Sequence, residues 1–115
     1  MEDLIEMAGL LGKKIAAHER SKLLAQAQQA VDADEPAGVL VREYHEQATK
    51  IQQLEAEGKP IEVADKHKLK ELEEKISTNE LLSELTKRQV DFMEMMHKVK
   101  AAIDKQMQAK EQPAK

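Results

Sequence analysis

Two interleaved seven-residue series run through the last third of the chain: Leu82, Gln89, Met96 and Ile103 form one, and Leu85, Phe92 and Val99 the other. That spacing is the a/d pattern of a helix that packs along its length against other helices. With Leu82 at a and Leu85 at d, Leu81 and Met95 fall at g and Met93 at e, so the apolar face is wider than a two-helix seam. Each large apolar side chain left in water forgoes about 1.5–3 kcal/mol relative to burial. The face therefore asks for at least two neighbouring helices, from the same chain or a second copy. The expected fold is all-α: an antiparallel bundle of long amphipathic helices with shorter N-terminal ones, self-associating.

The upstream sequence has the same period. Leu4, Ala8, Leu11 and Ile15 mark a first helix, whose phase is lost around His18-Glu19-Arg20-Ser21 and resumes at Leu24, Ala27 and Val31, which predicts a bend or short break. Asp34-Glu35-Pro36 opens a new helix, since proline is tolerated in a first turn, and Leu40, Tyr44, Gln47, Ile51 and Leu54 give it a seam with one polar member. Gly58-Lys59-Pro60 ends it. Asp65 is the expected N-cap of a helix carrying Leu69, Leu72 and Ile76, and Ser77-Thr78-Asn79-Glu80 predicts an interruption at Asn79. The final helix is expected to reach about Met107. Residues 1–108 then make one helical domain, with a tail at 109–115 that frays for want of an apolar face.

Composition agrees. Aromatics are 2% of 115 residues, charged residues 35%, and glycine and proline are scarce, so a sheet has little support. The acidic start Met1-Glu2-Asp3 and the short apolar run ending at Lys13-Lys14 suit neither a signal peptide nor a membrane span, which points to the cytoplasm. With no cysteine the chain offers no disulfide, thiolate nucleophile or cysteine-held metal or iron–sulfur cluster. A formal charge of −4 with both signs interspersed gives direct nucleic-acid binding little backing.

The sites that could carry chemistry are weak. Glu94 and His97 have the Glu-x-x-His spacing of di-iron bundles, but they fall at outer heptad positions f and b, and no second such pair exists in the sequence. His67 and Glu71 read as a solvated i, i+4 pair. Lys66, Lys68 and Lys70 could touch phosphate, yet Glu71, Glu73 and Glu74 offset them. No nucleophile motif or phosphate loop can be assembled, so no catalytic, cofactor or metal residue is assigned. The polar seam residues Gln47 and Gln89 are candidates for fixing register.

The segment Lys59-Pro60-Ile61, Asp65, Leu69, Leu72, Ser77, Asn79-Glu80-Leu81-Leu82, Gln89, Asp91-Phe92-Met93, Val99 and Ile103 resembles the YlbF/YmcA family of bacterial helical proteins. Leu11-Gly12-Lys13-Lys14-Ile15 and Asp34-Glu35-Pro36 extend the resemblance toward the start, although Glu35 separates an aspartate and proline that would be adjacent in the family pattern. The resemblance implies a bundle associating as dimers or higher oligomers. It also implies non-enzymatic regulators that, in Gram-positive bacteria, join a complex modulating an endoribonuclease, and thereby RNA processing, competence, sporulation and biofilm formation. Some members of that complex hold iron–sulfur clusters through cysteines, which this chain lacks.

The expected function is thus a non-enzymatic cytosolic regulator or adaptor that forms homo-oligomers and docks onto a protein partner, with a ribonuclease complex as the implied target. Its expected interface is Leu82, Leu85, Gln89, Phe92, Met93, Met95, Met96, Val99 and Ile103. A directly RNA-binding helical protein and a metal-dependent bundle enzyme are the alternatives.

Overall fold

A computed structural model describes residues 1–111. Among them are five helices and no strand: α1 (Glu2–Ala17), α2 (Glu19–Asp32), α3 (Glu35–Ala56), α4 (Val63–Thr78) and α5 (Glu80–Glu111). The all-α expectation is met. No helix among the described residues is long and apolar enough to cross a membrane. Helix α5 continues past Met107 because Gln108 to Glu111 are good helix formers. The rest of the expected frayed tail, residues 112–115, lies outside the described residues.

The chain groups into two compact units, one of Gln26–Thr86 and one of Met1–Ala25 with the stretch from Lys87 onward. In the first, α3 and α4 form an antiparallel hairpin, with Gln47 opposite Asp65. Val31, Ala37 and Leu82 are its buried cluster, and Leu40, Val41, Ile76, Leu81 and Leu85 pack against them. Ala37 is fully enclosed, which explains a small residue at that crossing.

Polar residues set the breaks. The Asp34 carboxylate accepts from the Ala37 N–H at 3.0 Å and caps α3, with Pro36 in the first turn. At the other end Gly58 has φ +70°, its N–H bonds the Glu55 carbonyl, and the Lys59 N–H reaches back to Leu54 at 2.9 Å. This is the paired C-terminal cap that a left-handed residue permits. Asn79 separates α4 from α5, and its side-chain oxygen accepts from the Leu82 N–H at 3.0 Å.

Asp65 departs from its expected place. Helix α4 starts at Val63, so Asp65 lies inside the first turn, and its carboxylate turns to α3 in place of capping. Gln47, buried, donates to the Asp65 carbonyl at 3.0 Å and lies 3.4 Å from its Oδ1, which Lys50 meets at 2.9 Å. The Lys50 ammonium, joined by the Gln47 amide, holds the Asp65 carboxyl below its ordinary pKa.

In the second unit the predicted break is one residue, His18, in extended backbone conformation. Its Nδ1 accepts from the Arg20 N–H at 3.1 Å, and the Ser21 hydroxyl bonds the Ile15 carbonyl across the joint. Arg20 ties this joint to α5: Nη1 donates to the Asp91 carbonyl at 3.0 Å and lies 3.6 Å from the Glu94 carboxylate. Helix α1 buries none of its residues.

Candidate protein interface

The heptad series on α5 divides into parts with different surroundings. Leu82 and Leu85 belong to the Gln26–Thr86 unit, where Leu82 is buried against Val31 and Ala37 and Leu85 packs on that cluster. In the other unit Phe92, Met95, Met96 and Val99 are half-buried. Gln89, Met93 and Ile103 are exposed, the last two at 56% and 48%. The a/d pattern therefore continues along one helix, but its C-terminal portion retains apolar surface in contact with water.

Met95 and Val99, with Ala102 and Lys98, form a shallow hollow with His18 and Arg20 at its edge. A separate trough on α5 is lined by Val90, Met93, Glu94, His97, Lys98 and Ala101. At 100° per residue, the Val90–Met93–His97–Ala101 side lies roughly opposite Met95, Val99 and Ala102. The a/d frame does not single out this second apolar strip, since Val90 and His97 fall at b and Ala101 at f. Val90 is the one signal that could have shown it, a large apolar residue at an outer position and 59% exposed.

The polar candidates have ordinary partners. Glu94 pairs with Lys98 at 3.2 Å and with Arg20, and the Lys98 ammonium with the Arg20 guanidinium holds its carboxyl below the usual range. Among the described residues no three carboxylate or imidazole side chains converge as metal ligands. Lys66, Lys68 and Lys70 are exposed on α4, and Glu71 pairs with Lys75 at 3.3 Å. Arg20, which joins the start of α2 to α5, is the structural residue that periodicity misses, because its role depends on a main-chain carbonyl 71 positions away.

These features define an all-helical protein with apolar helix surfaces left open. The chain belongs to the YlbF/YmcA family, described as control of competence regulator ComK, whose family model matches residues 4–108. It is 23% identical over 105 residues to UPF0342 protein LBA1592 of Lactobacillus acidophilus, covering 91% of this chain and 90% of that protein. A chain in the crystal structure of Bacillus subtilis RicA in complex with RicF has the same fold, with a TM-score of 0.82 at 16% identity over 96% of this chain and 97% of that one.

Proposed function

We propose that this chain is a non-enzymatic cytosolic adaptor that self-associates and binds a protein partner through α5, in a complex that modulates an endoribonuclease and so RNA processing linked to competence, sporulation or biofilm control. The observation that carries the reading is the row Phe92, Met96, Val99 and Ile103, which the chain itself leaves half-buried or exposed. Family membership supports a regulatory role, and the similarly folded RicA is a protein seen in complex with RicF. Lacking cysteine, this chain would contribute contacts and no thiolate ligands to such a complex.

Affinity purification from the native cell, with mass spectrometry of what co-purifies, tests the partner. An endoribonuclease or its subunits should co-purify with the wild type and be lost with Met96→Glu or Ile103→Glu. RNA captured directly by pure protein, with affinity falling steeply in salt and lost on replacing Lys66, Lys68 and Lys70, would replace this reading with direct RNA binding. Light scattering at micromolar concentration tests self-association, and a strict monomer would end that part.

A further inference from the structure

We infer that α1 of one copy lies antiparallel in the Val90–Ala101 trough of a second copy. The inference rests on the self-association proposed above and specifies its contact. Leu4, Ile5 and Met7 are each more than 60% exposed, and of the α1 stripe only Ile15, next to the joint, is half-buried within its own chain. A surface helix of a folded protein ordinarily buries its apolar stripe, so this one lacks its counterpart. The trough is likewise uncovered, and the joint from which α1 springs sits by the Met95–Val99–Ala102 hollow, roughly opposite it around α5.

The spacing of the α1 stripe fits the trough over the same eleven-residue span. Leu4, Ala8, Leu11 and Ile15 step along α1 by four, three and four residues, and Ala101, His97, Met93 and Val90 step back along α5 by four, four and three. Antiparallel pairing sets Leu4 on Ala101, Ala8 on His97, Leu11 beside Met93 and Ile15 on Val90, so Leu4 meets a small residue and Leu11 a flexible one, while Ile15 and Val90 meet as two β-branched side chains. Charge selects the antiparallel direction. The acidic first turns of α1, Glu2, Asp3 and Glu6, come toward Lys98, Lys100 and Lys105, among which Asp104 is the one acid. Lys13 and Lys14 come toward Asp91 and Glu94, with Arg88 a base beside them. Parallel placement would set Lys13 and Lys14 against Lys98, Lys100 and Lys105, and charge complementarity is what fixes register between partners. A second copy is the occupant that carries this pattern, and mutual donation of α1 closes as a two-fold pair.

The cysteine-free background makes the contact directly readable. Ala8→Cys and His97→Cys proteins are prepared separately, mixed, mildly oxidised and digested for mass spectrometry. The expected product is a disulfide joining position 8 of one chain to position 97 of another. Leu4→Lys, which disturbs no buried contact within the chain, should weaken dimerisation at least tenfold with helix content by circular dichroism unchanged. A dimer that persists without the 8–97 linkage, or that links 8 to 8 in its place, overturns the inference and leaves self-association standing. A monomer for the wild type at micromolar concentration overturns both.

Discussion

The side-chain amide of Gln47 donates to the main-chain carbonyl of Asp65 at 3.0 Å, fastening the middle of α3 to the first turn of α4. An apolar seam interrupted by one satisfied polar pair tolerates little slippage, because any other register leaves a buried amide without a partner. The other seam glutamine, Gln89, is exposed.

The two glutamines should therefore respond differently. Gln47→Leu removes the bond to Asp65 and should cost about 1–2 kcal/mol in urea unfolding. Gln89→Leu should stay within about 0.5 kcal/mol, as surface changes do. Equal effects at both positions would remove Gln47 from its registry role.

Acid should weaken the hairpin through Asp65. Its carboxyl, held below its ordinary value of 3.8 by the Lys50 ammonium and the Gln47 amide, favours the folded state above that value. This contribution is lost as pH falls through the lower folded-state pKa. Urea midpoints followed from neutral pH to below pH 3 should fall for the wild type, and Asp65→Asn should start lower and fall less steeply.

At the hairpin turn, Gly58→Ala places a Cβ on a residue with φ +70° and should destabilise by about 1–2 kcal/mol in thermal or urea unfolding. No atom would obstruct that Cβ, so the loss measures backbone conformation alone.

Leu82→Ala opens a cavity between Val31 and Ala37 and should cost about 2–5 kcal/mol. Ile103→Ala, at an equivalent heptad position but exposed, should cost far less in the isolated protein. The comparison separates the part of α5 that holds the hairpin from the part whose apolar residues stay exposed.

Much of this architecture could be read from the residues. Asp34, Pro36, Gly58 and Asn79 act locally, through caps and a left-handed turn, and their positions gave the helix boundaries directly. His18 was visible as a loss of phase. Asp65 misled because a carboxylate near a helix start serves either its own N-terminus or a facing lysine, and the choice depends on where Lys50 lies in space. On the candidate surface, the heptad identified the apolar residues of α5, but period alone does not say which are used within the chain. Leu82 and Ile103 share a heptad position and differ in burial because only the first meets Val31 and Ala37. Arg20 and the Val90 trough fell outside the period altogether.

Helix α1 has a thermodynamic consequence of its own. A solitary helix of 16 residues is marginal in water, and Gly9 and Gly12 each cost it about 1 kcal/mol relative to alanine. With no fully buried residue to offset this, the amides of its N-terminal half should exchange with deuterium orders of magnitude faster than those near Leu72 or Leu82. Whatever covers α1 must then supply the free energy that orders it, so association should show the large negative heat-capacity change of coupled folding and binding, with modest affinity for the area buried.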